Sequence, residues 1–101
     1  MLKELTKENF DTELKQGLKL VEFYAPWCGY CKKEEDELSK LDKVWIGQVN
    51  GDNNRELIEK YGISAFPTFL VFKNGQEVQR LSGFKTKEFL MDTLMSYLKS
   101  L

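Results

Sequence analysis

The sequence predicts an α/β fold, a mixed sheet of four or five strands with helices on both faces. Three observations carry this expectation. Leu18 to Tyr24 is a nearly continuous apolar run, the pattern of a parallel strand covered on both sides. Asn74-Gly75 between two apolar runs is a two-residue hairpin signal. Helix-forming stretches surround both, giving the order βαβ, then helix and hairpin, then helix. With 101 residues, 42% hydrophobic and 13% aromatic, the chain suits one compact domain spanning residues 1–101, with a sizeable core. No repeat, linker or low-complexity tract divides it.

Thr6 is placed as the N-cap of a first helix through about residue 15, with Phe10 and Leu14 one turn apart on its inner face and Gly17 as its stop. Leu18 to Tyr24 follows as the central strand. Glu22 interrupts that run, and two readings stand: a carboxylate at a partly exposed position, or a buried acid. A second helix covers about residues 29–41. Its run Glu34-Glu35-Asp36-Glu37 reads as a solvated face whose charges oppose a nearby thiolate, while Lys32 and Lys33 favour one. Residues 44–50 form the next strand. Asn53 or Asn54 caps a short helix to Tyr61, with Leu57 and Ile58 inward and Gly62 ending it. Phe66-Pro67 opens the strand Thr68 to Lys73, since proline is at home at a strand start, where it need not donate to the ladder. The hairpin returns through residues 77–81. Thr86 caps the last helix, on which Leu90, Leu94, Tyr97, Leu98 and Leu101 recur at core spacing, whereas Met91 and Met95 lie elsewhere.

The chemistry centres on Cys28 and Cys31. Two cysteines at i and i+3 in the first turn of a helix share a face, so their sulfurs can bond with little backbone movement. Cys28 falls where backbone N–H groups lack intrahelical partners and the helix dipole is positive, which favours a negative sulfur. It is the expected nucleophile. Cys31, one turn further, is placed to attack a mixed disulfide between Cys28 and a substrate.

Trp27-Cys28-Gly29-Tyr30-Cys31-Lys32, behind Val21-Glu22-Phe23-Tyr24-Ala25-Pro26, resembles the active-site segment of the thioredoxin family, including the catalytic domains of protein disulfide isomerases. Tyr61-Gly62-Ile63-Ser64-Ala65-Phe66-Pro67-Thr68, Phe72-Lys73-Asn74-Gly75 and Gly83 match the family pattern in the same order, so the resemblance covers almost the whole chain. It implies the thioredoxin fold and a cis proline at Pro67 facing the cysteine pair. It also implies main chain around Phe66 that pairs with an extended substrate segment. The family places Asp or Glu at the position of Glu22, which supports a buried acid whose raised pKa lets it accept and return a proton near neutral pH. Trp27, Tyr30 and Phe66 are then an apolar rim for protein substrates, or merely pack locally. Gly83 either keeps the substrate groove clear or simply ends a strand.

The chain also departs from the family pattern. The acidic run stands where apolar residues and a kinking proline are usual, and the helix and linker before residue 44 are a few residues short. Gln48 replaces a common lysine beside the buried acid, which leaves Glu22 more strongly neutral or merely gives Gln48 a hydrogen-bonding neighbour. Gly29-Tyr30 is neither the Gly-Pro of typical thioredoxins nor the Gly-His of isomerases.

The expected function is a thiol-disulfide oxidoreductase that reduces protein disulfides, binds no cofactor itself, works as a monomer and receives electrons from NADPH through a flavin-containing thioredoxin reductase. With no histidine beside the thiolate, the expected potential lies between about −270 and −180 mV, nearer the reducing end. Three other readings stand beside it: a disulfide isomerase or oxidase, suggested by Pro26, Tyr30 and Phe66; a glutaredoxin-like enzyme, suggested by Tyr30; and a non-catalytic binding module.

Composition narrows the remaining classes. The 15 basic and 16 acidic residues leave a formal charge of −1, with no electrostatic footprint for nucleic acid or anionic membrane. Two cysteines and no histidine exclude imidazole chemistry and leave too few soft ligands for a structural zinc site within one chain. The opening Met1-Leu2-Lys3-Glu4-Leu5 carries no signal-peptide pattern, and no apolar run reaches about 18 residues, so a cytoplasmic location is expected.

Overall fold

The computed structural model describes residues 2–98. One five-stranded sheet runs through it, built from β1 (Leu2–Leu5), β2 (Leu18–Tyr24), β3 (Ile46–Asn50), β4 (Thr68–Lys73) and β5 (Gln76–Ser82) in the order β1-β3-β2-β4-β5. The first three strands are mutually parallel, and β4 and β5 are antiparallel to their neighbours. Four helices complete the fold: α1 (Phe10–Leu14), α2 (Gly29–Ser39), α3 (Arg55–Tyr61) and α4 (Lys87–Leu98). This is the expected α/β fold, with the higher of the two strand counts.

β2 is central because its residues are apolar on both faces. Val21 and Phe23 pack with Phe10 and Leu14 of α1 and Leu57 of α3, whereas Leu20 packs on the other side with Leu38 of α2 and Leu90 and Leu94 of α4. Side chains alternate along a strand, so Glu22 shares the α2/α4 face with Leu20. The α1/α3 side is an aromatic cluster: Phe10 lies 5.2 Å from Tyr61 and 5.7 Å from Phe72, ring centre to ring centre.

β1 was not expected, and the first helix is shorter than predicted. The charges of Lys3 and Glu4 break any strand-like apolar run, but an edge strand tolerates them, and only Leu5 is buried. Thr6 does not cap α1. Asn9 takes the N-cap position, its Oδ1 accepting from Thr6 N–H at 2.8 Å and its Nδ2 donating to the Glu4 carbonyl at 3.2 Å, so residues 6–9 form a turn against the strand end. Asn54 occupies the N-cap position of α3, but its side chain donates to the Asn50 carbonyl rather than capping.

Other local signals hold. Thr86 Oγ1 accepts from Phe89 N–H at 3.2 Å and caps α4. Asn74 and Gly75 both take positive φ (51° and 87°), as a type I′ turn demands, with Lys73 paired to Gln76. On α4, Met91 rather than Leu98 joins the core: Met91 packs against the α2/α4 cluster, and Leu98 is exposed. Leu101, assigned to the same stripe, lies outside the described residues.

Candidate active site

β2 ends at Tyr24, the chain turns through Ala25 and Pro26, and Cys28 becomes the N-cap of α2 in an extended conformation (φ −83°, ψ 117°). Its Sγ accepts a hydrogen bond from Cys31 N–H at 3.1 Å, as a capping side chain does. On its other side the Cys28 thiol faces the Phe66 carbonyl at 3.6 Å. The Phe66-Pro67 peptide is cis, as the family resemblance implies. Cys28, Cys31 and Ala25 form a small buried cluster under Tyr24 and Phe66, and both cysteines are free thiols. Burial, and then the contact with Cys28, push the Cys31 thiol up to about 12, although a backbone hydrogen bond from Ala25 works the other way.

Of the three residues expected at the rim, Phe66 packs against this pair, and Trp27 and Tyr30 are its neighbours in sequence. Trp27 and Tyr30 are both about two-thirds exposed (68% and 66%), so neither is held in the core. Trp27 stacks edge-on with Phe66 at 5.9 Å, and its Nε1 donates to Asp52 Oδ1 at 3.2 Å. Gly29 is exposed in the first turn of α2, where a Cβ would meet nothing within 4 Å. Gly83 N–H donates to the Pro67 carbonyl at 2.8 Å, joining the end of β5 to the cis proline. Its φ of +86° requires glycine, and a Cβ there would meet no atom of the chain within 4 Å; conformation, not crowding by the chain itself, is the local reason for glycine.

Glu22 is buried, so the exposed reading of this carboxylate does not hold. Gln48, directly across on β3, donates from Nε2 to Glu22 Oε1 at 3.0 Å, and Glu22 Oε2 has no hydrogen-bond partner among the described residues. Desolvation raises the Glu22 pKa to about 7; the Gln48 hydrogen bond opposes this, and the charges of Glu34 and Glu35 add to it. Gln48 does hydrogen-bond a neighbour, and the neighbour is Glu22; the contact itself favours the ionised carboxylate, and burial outweighs it.

The acidic run is not a solvated face throughout. Cys31, Glu34 and Leu38 are the buried residues of α2, spaced three and four apart on one stripe. Glu34 Oε1 accepts from Lys85 N–H at 2.8 Å, and Glu37 Oε1 accepts from Lys87 N–H at 2.7 Å. Burial raises the Glu34 pKa to about 7, whereas the Lys87 hydrogen bond lowers that of Glu37. Of the four acids in the run, only Glu35 and Asp36 are exposed. Sequence reasoning missed Glu34, Glu37 and Asp52 as parts of this region. For Glu34 the signal was present, because it falls on the helical stripe that Cys31 and Leu38 define.

A cysteine pair at the mouth of a helix, with one sulfur against the carbonyl that precedes a cis proline at the end of a sheet of this topology, is the arrangement of a thiol-disulfide oxidoreductase. Residues 1–96 match the thioredoxin family model. The chain is 42% identical over 98 residues to a thioredoxin of Chlamydia pneumoniae, covering 93% of this chain and 96% of that one. It is 39% identical over 98 residues to a thioredoxin of Bacillus subtilis, covering 92% and 94%. Against mouse protein disulfide-isomerase A6 it is 41% identical over 106 residues, covering 97% of this chain but 24% of that protein. The X-ray structure of Fasciola hepatica thioredoxin superposes with a TM-score of 0.81 at 33% identity, over 93% of this chain and 97% of that one. The chain belongs to the thioredoxin family. It acts on protein disulfides by thiol exchange, and no helix among the described residues is long and apolar enough to cross a membrane.

Proposed function

We propose that Cys28 is the nucleophile, Cys31 the resolving thiol and Glu22 the proton acceptor of a single-domain, monomeric thioredoxin that reduces protein disulfides in the cytoplasm. The observation that carries this reading is the position of Cys28 Sγ, between the Cys31 N–H and the Phe66 carbonyl. The N–H stabilises negative charge on the sulfur, and the carbonyl belongs to main chain that an extended substrate segment can pair with.

In the first step the Cys28 thiol gives up its proton to solvent and the resulting thiolate attacks one substrate sulfur; the substrate S–S bond breaks, and its other sulfur leaves as a thiolate that takes a proton from solvent. In the second, Cys31 gives its proton to the Glu22 carboxylate and attacks Cys28 Sγ. The mixed disulfide breaks, the Cys28–Cys31 bond forms, and two electrons have passed to the substrate. A thiol pushed up to about 12 needs such a base, and a buried carboxyl near 7 is matched to taking and returning a proton at neutral pH. Trp27, Gly29, Tyr30, Phe66, Pro67 and Gly83 line the groove that receives the substrate. Electrons come from NADPH through a flavin-containing thioredoxin reductase, with no cofactor held by the chain.

Insulin reduction by dithiothreitol tests the reading. The wild type is expected to accelerate precipitation of the insulin B chain and Cys28→Ser is expected not to; equal rates would leave only a binding module. A disulfide-isomerase direction is the second reading, favoured by the aromatic Phe66 stacked on Trp27. The potential against glutathione separates the two: about −270 mV fits a reductant, and a value above about −180 mV an oxidant.

A further inference from the structure

Three side chains of α2 reach the segment that links β5 to α4. Lys33 Nζ sits 4.7 Å from the centre of the Phe84 ring, Glu34 accepts from Lys85 N–H, and Glu37 accepts from Lys87 N–H. Lys87 opens α4, and its N–H is one of those that a helix cannot satisfy internally. At its other end the segment is tied through Gly83 N–H to the carbonyl of Pro67. The segment is thus held between the cis proline beside Cys28 and the helix that Cys28 begins.

Glu34 is a costly residue for this place. It is fully buried, its Oε2 has no hydrogen-bond partner among the described residues, and its one hydrogen bond goes to a backbone N–H. An apolar side chain on the same stripe would fill the space without burying a polar oxygen. What it would not do is hold Lys85.

We propose that Glu34 is a positioning residue for protein substrates: by gripping Lys85 N–H it fixes the segment from Gly83 to Thr86 as the second wall of the groove beside Cys28 and Pro67. The proposal rests on Cys28 being the nucleophile and Gly83 lining the groove. Glu34 then governs how well a polypeptide disulfide is held; it makes neither of the two contacts of Cys28 Sγ, with Cys31 N–H and the Phe66 carbonyl, and reaches the cysteines only through its charge on Glu22.

The test compares two disulfides in Glu34→Leu and Glu34→Gln. Insulin presents a polypeptide to the groove, whereas 5,5′-dithiobis(2-nitrobenzoate) has none. Glu34→Leu removes the acceptor and is expected to raise KM for insulin about five- to tenfold, with kcat and the rate with the small disulfide within about twofold of wild type. Glu34→Gln keeps a carbonyl oxygen for Lys85 N–H and is expected to restore KM. Amide exchange at Lys85 is expected to quicken about tenfold or more in Glu34→Leu while Val71 in β4 keeps its protection. An unchanged KM, equal losses on both disulfides, or a Gln variant as impaired as the Leu variant would each overturn the proposal. If Val71 loses protection, Glu37→Ala releases Lys87 instead and is read on the same two disulfides; a KM for insulin unchanged there also overturns it. These failures leave Cys28-dependent activity intact, whereas insulin reduction by Cys28→Ser would remove the reading underneath.

Discussion

Gln48 meets Glu22 with an amide, which lowers the carboxyl's pKa less than a cation would, and burial wins. Gln48→Lys would place a positive charge at that contact and favour the ionised form. The pH profile of insulin reduction is therefore expected to lose its inflection near 7 and gain one about 1–3 units lower. An inflection that stays put would mean that Glu22 is not the titrating group. Glu22 was legible in the sequence because a single acid breaks the apolar run that follows Lys19 in this strand. Glu34 was legible only in part: its place on the stripe of Cys31 and Leu38 marks it as inward, but three acidic neighbours disguise it as surface, and its partner is a backbone N–H 51 residues away, which no local pattern encodes.

Some elements with local signals were read correctly, although the capping signals at Thr6 and Asn54 were not borne out. The hairpin is the clearest case: Asn and Gly are the residues that accept positive φ, and they stand at the two positions that need it. Asn74 does more than turn the chain. Its Oδ1 accepts from Gly17 N–H at 2.8 Å, and its own N–H donates to the Gly17 carbonyl at 2.9 Å, so the hairpin is bolted to the entrance of β2. Asn74→Ala puts an ordinary side chain at positive φ and removes one of these bonds. We expect it to cost about 2 kcal/mol in urea denaturation, with activity on insulin unchanged. Elements defined by their neighbours were not legible. β1 exists because β3 offers it a ladder, and α1 begins late because Asn9 turns back to Thr6 and Glu4; both facts depend on chain brought alongside, which periodicity does not contain.

At the scale of the whole molecule, stability should fall as the solution becomes more alkaline from pH 5 to 8. Glu22 has a folded pKa near 7 against an ordinary value of 4.5, so the folded state binds the proton more tightly. Its contribution is complete below pH 4.5 and is lost as the pH rises through 7. Glu34 is shifted the same way, whereas Glu37 is lowered and acts only in more acid solution. Urea denaturation of the reduced protein is expected to show greater stability at pH 5 than at pH 8, and Glu22→Gln is expected to shrink that difference by about 3 kcal/mol. A difference that survives the substitution would place the sensitivity elsewhere.

The sheet divides the molecule into unlike halves. Behind α1 and α3 lies an aromatic and aliphatic filling with no ionisable carboxyl in its buried cluster; behind α2 and α4 the filling includes two acids, each with a bare oxygen. Alkali should accordingly loosen the molecule from one flank, the flank on which the redox helix rides, while the opposite flank stays closed and keeps the strands in register.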